Sequence, residues 1–187
     1  MTSAYWELNK LDVATRIEDE GKPDVRKLLA ATDIDEGVIL DTPAVKVTAM
    51  RTPHPPIVEN FAFKFDTAYG AVVFSGDTAF NPKLAEFARG CDILVHEALF
   101  EPGIDRMVAR VPFAATLKKH LMDSHTTTDD VGRIAAMAQP KLLVLSHIVP
   151  GDDVSITDAL WLEGVRRHYS GDAVVAKDRM AFVLPPR

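Results

Sequence analysis

Side chains that bind metal ions or move protons follow several apolar, strand-like runs of this 187-residue chain. Asp77 follows the run 71–74, His96 and Glu97 follow the run 91–95, and His147 follows the run 141–145. Short buried strands often carry polar site residues at their C-terminal ends, so we expect these side chains to meet at one edge of a sheet. Histidine and aspartate together are typical metal ligands. The pattern therefore predicts a metal site.

Two further histidines belong to this set. His54 follows the strand-like run 45–50 and is flanked by prolines that restrict its backbone, and His125 lies in the polar run 123–128. Each candidate, taken alone, also has an ordinary structural explanation. Asp77 could cap a turn, Glu97 could form a plain ion pair, and His147 could be a hydrogen-bonded core histidine. Only the combination at several strand ends favours a site.

Composition places the chain among ordinary globular proteins. A hydrophobic content of 47% is enough for a core, and no stretch approaches the ~20 apolar residues of a membrane span. We expect one domain over residues 1–187 with no membrane segment. The single cysteine, Cys91, excludes an internal disulfide and favours a cytoplasmic protein with a buried thiol. The net charge of -6 disfavours a nucleic-acid surface.

Hydrophobic periodicity predicts an α/β chain of the mixed, α+β kind, with one mixed sheet and outer helices. Helices are predicted over residues 4–20, 82–89, 129–138 and 155–169, with Asn81, Thr126 or Thr127, and Ser155 or Thr157 as their caps. Strands are predicted over residues 37–40, 44–50, 60–66, 71–74, 91–95, 141–145, 173–176 and 180–184, and residues 26–35 are predicted to be a polar connector.

Four segments together resemble a known family. They are Phe74-Ser75-Gly76-Asp77-Thr78 with the following run 84–98, then Ser124-His125-Thr126-Thr127, then Leu145-Ser146-His147, and the isolated His54. In order and spacing they resemble the metallo-β-lactamase superfamily, and within it the ribonuclease Z and arylsulfatase-like branch, over residues 37–187. The resemblance implies the C-terminal portion of an αββα sandwich.

The resemblance also implies roles for individual residues. His54 would bind a first zinc ion, Asp77 would bridge two zinc ions, and His147 would bind the second. Manganese or iron would suit the same ligands. His125, oriented by Glu97, would stabilise charge on the scissile group or assist the leaving group. Water activated between the two metals would then hydrolyse an ester, phosphodiester or sulfate ester.

The chain departs from the family pattern in its metal ligands. The His-x-His-x-Asp-His motif is absent, and no histidine precedes His54. The chain therefore resembles only the C-terminal half of a family member, and we expect weak metal binding and little activity from it alone. Phe61, Phe63 and Phe65 would then lie on an uncovered sheet face. We expect a homodimer, or complementation by a missing N-terminal half, to cover them.

A second departure concerns the substrate. Ile148-Val149-Pro150 follows His147, where transfer-RNA processing members tend to carry a different sequence, and only a tight turn separates Phe65 from Ala71. Both features favour a small-molecule ester and make nucleic acid the less favoured partner. Two alternatives stay open. One is a transfer-RNA 3′-processing endoribonuclease, and the other is a non-catalytic remnant or interaction protein that retains the scaffold.

Overall fold

The computed structural model describes residues 2–28, 30–111 and 115–184. The chain folds into two compact units, Met1–Ile34 and Asp35–Arg187. The first unit contains helix α1 (Thr2–Glu18) and the short helix α2 (Val25–Leu28). Arg16 pairs with Asp12 at 3.5 Å and with Glu20 at 2.8 Å, one helical turn away on either side. The predicted first helix is confirmed, whereas part of the predicted connector forms α2.

The second unit is built on a seven-stranded sheet whose strands follow one another in sequence order. The strands are β1 (Gly37–Asp41), β2 (Val45–Arg51), β3 (Phe61–Thr67), β4 (Gly70–Phe74), β5 (Ile93–Leu99), β6 (Leu142–Val149) and β7 (Asp172–Val175). Strands β1 to β4 pair antiparallel, and β4 to β7 pair parallel. The predicted mixed sheet is confirmed. The C-terminal ends of β4, β5 and β6 therefore share one edge.

Within the described part of the chain, five helices connect the later strands. They are α3 (Pro82–Phe87), α4 (Glu101–Ala109), α5 (Leu117–Ser124), α6 (Thr128–Ala138) and α7 (Asp158–Arg166). Asn81, Thr127 and Thr157 cap α3, α6 and α7, since each side chain accepts a hydrogen bond from a backbone amide of the first turn. These caps match the predicted ones. Among the described residues, no helix is long and apolar enough to cross a membrane.

The main core lies between the sheet and the helices on one of its faces. Val73, Leu94 and Leu143 project from the central strands and are fully buried against helical residues such as Ile134 and Trp161. Cys91 belongs to the same cluster, and its burial raises the pKa of the thiol to about 12. The predicted outer layer of helices is confirmed. Its packing against the sheet holds in place the strands whose ends carry the candidate site.

The opposite face of the sheet is apolar and only partly covered. Phe63 pairs with Phe74 across β3 and β4, and both alternate with buried residues of the helix-covered face. Phe61, Phe63 and Phe65 are half-buried, and Phe74 is 43% exposed. We call the side chains of Phe61, Phe63, Phe65 and Phe74 the open face.

Two sequence predictions need correction. Residues 180–184 form no strand, because apolar alternation produces a strand only where a sheet edge pairs with it, and among the described residues β7 ends the sheet. Helices α4 and α5 were not predicted. Ile104 of α4 and Leu121 of α5 form a small separate cluster with Leu99 of β5, so each helix is held by tertiary contacts outside the main core.

Candidate metal centre

His54 lies in the loop after β2, at the edge where the central strands end. The amide of Ile57 donates a hydrogen bond to the His54 carbonyl at 2.8 Å, and Ser124 at the end of α5 donates its hydroxyl to the Pro55 carbonyl at 2.7 Å. Both bonds hold the loop in place. His54 is 9% exposed as a whole residue, and neither of its buried ring nitrogens has a hydrogen-bond partner among the described residues.

Asp77 is presented by a turn that requires glycine before it. Gly76 has a φ of 60°, and a Cβ there would lie 2.6 Å from the carbonyl oxygen of Phe61. The Asn60 amide group donates hydrogen bonds to the Asp77 carbonyl at 2.5 Å and to the Thr52 hydroxyl at 2.6 Å. These contacts fix the backbone, and the Asp77 side chain is 38% exposed.

Glu97, on β5, is buried beneath the site. One carboxylate oxygen, Oε1, accepts hydrogen bonds from the backbone amides of Thr78 at 3.1 Å and Thr126 at 3.0 Å. The same oxygen lies 3.2 Å from Nδ1 of His125. The other oxygen, Oε2, has no partner among the described residues. Glu97 therefore ties the segment after β4 to the segment before α6, and it fixes the His125 ring between them.

His125 follows α5 and is 8% exposed. A carboxylate only accepts hydrogen bonds, so Nδ1 is the protonated nitrogen in its contact with Glu97. The bond to Glu97 raises the pKa of His125 above its ordinary value, against the opposing effect of burial. The His125 ring lies 5.2 Å from the His54 ring, edge to face, and stacks 5.7 Å from the His147 ring.

His147 reaches the site through a bulge in β6. The register runs from Glu97 paired with Ser146 to Ala98 paired with Ile148, so His147 is the extra residue. Its φ of 44° is unusual for a residue with a side chain and costs about 1–3 kcal/mol. Nδ1 of His147 lies 3.3 Å from Asp77 Oδ1, and its side chain is 53% exposed. Such strain is common where a bulge redirects a functional side chain.

The residues at this edge fit a divalent metal ion. A buried imidazole with no partner is costly, and coordination by His54 would remove that cost. Among the described residues, two groups of candidate ligands have their ligand atoms within 4.8 Å of one another. One group is His54, Asp77 and His125, and the other is Glu97, His125 and His147. Nitrogen and oxygen donors of this kind suit zinc, manganese or iron.

The five residues singled out from the sequence, His54, Asp77, Glu97, His125 and His147, thus lie together. The residues that hold them were not predicted. The Ser75 hydroxyl oxygen accepts a hydrogen bond from the Glu97 backbone amide at 3.0 Å. The Thr126 hydroxyl donates a hydrogen bond to the Thr78 carbonyl at 2.6 Å. Their only signal was their position next to Asp77 and His125 in the sequence.

The other three histidines lie outside the candidate ligand groups. His96 is buried, which lowers its pKa, and its Nδ1 donates to the Glu97 carbonyl at 2.7 Å. His168 pairs with Asp129 at 3.0 Å. His120 is exposed, and its ring lies 6.4 Å from the His54 ring.

Comparisons with curated proteins point to one group of enzymes. The chain is 42% identical to ribonuclease Z of Bacillus subtilis over 78 residues, which covers 42% of this chain and 22% of the relative. It is 25% identical to ribonuclease Z of Mycobacterium avium over 167 residues, which covers 89% of this chain and 57% of the relative. The chain therefore spans only part of the length of these relatives.

Solved structures share the fold at low identity. The metallo-β-lactamase fold protein YhfI from Bacillus subtilis matches 74% of this chain and 49% of its own, with a TM-score of 0.55 and 21% identity. The short form of human tRNase Z matches 79% of this chain and 45% of its own, with a TM-score of 0.52 and 19% identity. The family described as "Beta-lactamase superfamily domain" matches residues 8–148, well over half of the chain. The chain belongs to the metallo-β-lactamase superfamily.

Proposed function

We propose that this chain carries the centre of a metal-dependent hydrolase that cleaves an ester, phosphodiester or sulfate ester. The observation that supports this most is the buried His54 imidazole, which has no partner among the described residues and lies beside Asp77 and His125. In the arrangement that the family resemblance implies, two zinc ions would be held by His54, Asp77 and His147. A bound divalent metal supplies Lewis-acid polarisation of the scissile group and activation of water.

His125 and Glu97 are proposed to act on the scissile bond. The hydrogen bond from Nδ1 to Glu97 raises the pKa of His125, which favours the protonated form of the ring. A protonated ring at the site edge stabilises negative charge that develops on the scissile group, or gives its proton to the leaving oxygen. Because Glu97 also accepts two backbone amides, the ring is held in place before substrate binds.

Transfer-RNA 3′ processing is the second candidate function. It is favoured by the curated ribonuclease Z relatives, whose names imply a phosphodiester substrate. The sequence after His147 and the tight turn after β3 argue for a smaller substrate. In that turn the Thr67 hydroxyl accepts hydrogen bonds from the amides of Tyr69 and Gly70 and donates one to the Gly70 carbonyl. The turn is therefore closed, and no substrate-binding insertion extends from it.

Assembly and location are part of the same proposal. The open face is proposed to pack against a second copy of the chain, with a complementing polypeptide as the alternative, because Phe74 is 43% exposed on an otherwise apolar surface. A single buried cysteine is compatible with the proposed cytoplasmic location.

The test is hydrolysis by protein stripped with chelator and reloaded with zinc or manganese. The substrates are the p-nitrophenyl derivatives of a carboxylic ester, a phosphodiester and a sulfate ester, together with a 3′-extended transfer-RNA precursor. We expect slow, metal-dependent turnover of at least one substrate, and the Asp77→Ala variant should remove it. Cleavage of the RNA alone would establish the second candidate. Turnover no faster than that of Asp77→Ala on every substrate would leave the non-catalytic remnant as the correct interpretation.

A further inference from the structure

The loop of residues 52–60, between β2 and β3, is closed by its own backbone. At its base the Thr52 amide donates a hydrogen bond to the Asn60 carbonyl at 2.9 Å. Nearer its tip the Ile57 amide donates to the His54 carbonyl at 2.8 Å. Three of the nine loop residues are prolines, which restrict the backbone further. The loop therefore holds a defined shape.

Hydrogen bonds on two sides fix this loop at the candidate centre. The Ala79 amide, just after the turn that presents Asp77, donates to the Pro53 carbonyl at 2.7 Å. On the other side, the Ser124 hydroxyl donates to the Pro55 carbonyl at 2.7 Å. The loop thus lies between the Asp77 turn and the end of α5, and its tip borders the candidate centre.

The tip of the loop exposes two adjacent aliphatic side chains. Ile57 is 53% exposed and Val58 is 76% exposed, although Ile57 also forms a β-bridge with the buried His54. Single exposed apolar side chains are common on protein surfaces. Adjacent ones in a fixed loop beside a polar site are better explained as a contact surface.

A third apolar side chain belongs to the same border. Phe80 is 40% exposed and follows Ala79, whose amide is bonded to Pro53 of the loop. We call the side chains of Ile57, Val58 and Phe80 the apolar border. It flanks His54 and Asp77, and it lies outside the open face.

Charge near the apolar border does not favour a polyanion. Apart from His54, the only ionisable side chain of the loop is Glu59, and Arg51 pairs with it at 2.5 Å and with Asp35 at 3.0 Å. Lys118 and Lys119 of α5 are also each paired with an aspartate. Proteins that bind RNA or DNA direct lysine and arginine side chains at the phosphates. The apolar border fits an uncharged hydrocarbon group better.

We propose that Ile57, Val58 and Phe80 bind the non-reacting hydrocarbon part of the substrate. The preferred substrate is then an ester that carries an alkyl chain or ring, because such a group removes the exposed apolar side chains from water. The inference rests on the proposed metal-dependent hydrolysis and deepens it by naming the substrate class.

The first test compares p-nitrophenyl hexanoate with p-nitrophenyl acetate, which differ only in the length of the acyl chain. With zinc-loaded chain, kcat/KM should be about 10-fold or more higher for hexanoate, since each methylene that leaves water favours binding by up to about 4-fold. The double variant Ile57→Ser with Val58→Ser should reduce this ratio to within about 3-fold. Met137→Ser is the matched control, because Met137 is 41% exposed near the far end of α6, and it should keep the ratio.

Thermal unfolding of each variant separates a lost contact from a lost fold. If the double variant fails to fold, Val58→Ser, at the most exposed position of the border, replaces it and should reduce the ratio in the same direction.

The second test measures binding without turnover. In methyl NMR of the chain labelled at isoleucine and valine, hexylphosphonate should shift the signals of Ile57 and Val58. It should also bind about 10-fold more tightly than methylphosphonate.

The two tests separate the inference from the proposed function. Equal kcat/KM for both esters, with unshifted Ile57 and Val58 signals, would overturn the inference and leave the proposed function intact. Shifts of the same signals on dilution of the ligand-free chain would assign the border to a contact between copies and would also overturn it. Selective binding of hexylphosphonate without metal-dependent turnover of any substrate would support the apolar border and overturn the proposed function.

Discussion

Glu97 connects three segments of the candidate centre through a single carboxylate oxygen. Two of its donors are backbone amides, from Thr78 and Thr126, and the third is the His125 ring. Hydrogen bonds to a charged, buried acceptor are stronger than neutral ones. The geometry of the site therefore depends on the charge of Glu97 as well as on its shape.

Glu97→Gln should lower the free energy of unfolding by about 1–3 kcal/mol, because the amide keeps the shape but removes the charge that the three donors share. Urea denaturation measures the change. Glu86→Gln, at an exposed position, is the control and should lie within about 0.5 kcal/mol of the unmodified chain. Equal stability of the two variants would show that the Glu97 charge contributes nothing to the fold.

Gly76 and Gly90 provide a matched pair of left-handed glycines, with φ of 60° and 65°. Alanine at either position costs about 1–2 kcal/mol in backbone strain. A Cβ at Gly76 also meets the Phe61 carbonyl at 2.6 Å, whereas nothing lies within 4 Å of one at Gly90. Gly76→Ala should therefore lower the free energy of unfolding by about 1–3 kcal/mol more than Gly90→Ala does. It should also weaken metal binding, because it displaces the turn that presents Asp77.

Thermal unfolding and zinc titration of both variants test this pair. Equal losses of stability, with zinc affinity unchanged in Gly76→Ala, would show that the Asp77 turn tolerates a side chain and does not control the site.

The grouping of the candidate site residues at one edge was predictable from the sequence, whereas the residues that hold them were not. His54, Asp77 and His147 follow apolar runs, and that position alone predicts a shared edge. The bulge that redirects His147 depends on pairing with β5, which no local pattern encodes. The same holds for Asn60, whose amide holds the Asp77 backbone from 17 residues away.

At the scale of elements, α6 and α7 pack closely because glycine lies at their contact. A Cβ at Gly132 would lie 2.6 Å from the carbonyl oxygen of Val165 and 2.9 Å from its Cα. Close packing of this kind fixes α6, whose N-terminus follows directly after the His125 segment. The packing of the two helices therefore helps to hold the candidate centre in place.

Gly132→Ala should destabilise the protein by about 1–3 kcal/mol, because the new methyl group meets backbone that cannot rotate away. In an open helix the same change would stabilise by about 1 kcal/mol, so the sign is diagnostic. Met137→Ala, exposed on the same helix, is the control and should change little. Differential scanning calorimetry measures both variants. A raised melting temperature for Gly132→Ala would contradict the contact.

Elements with strong local signals were predicted well. The strand β3 alternates phenylalanine with smaller residues, and α6 begins with a threonine cap followed by two aspartates. The helices α4 and α5 pack on each other and on Leu99 of β5, and the run 180–184 pairs with no strand among the described residues. Both errors concern tertiary packing, which local periodicity does not report.

In the whole molecule, the open face is an aromatic surface that the described residues cover only in part. Phe65 and Phe74 lie in edge-to-face contact, with ring centres 5.7 Å apart, yet Phe74 is 43% exposed. Large aromatic side chains on one sheet face usually mark a contact surface.

Phe74→Glu should therefore convert a dimer to a monomer, because a charge at the centre of an apolar contact is costly to bury. Light scattering coupled to gel filtration measures the mass. Val154→Glu is the control, since Val154 is 98% exposed in a loop. A monomer in the unmodified chain would exclude the second copy as the occupant of the open face and favour the complementing polypeptide.

Anomalous diffraction from crystals of the zinc-loaded chain is the sharpest test of the proposed metal centre. We expect anomalous density at the zinc edge beside the side chains of His54, Asp77 and His147, with Glu97 still bonded to the far side of the His125 ring. Density bounded by His125 in place of His147 would keep the metal centre and refute the proposed ligand set. Zinc-loaded crystals with no anomalous density beside His54 would contradict the metal centre itself.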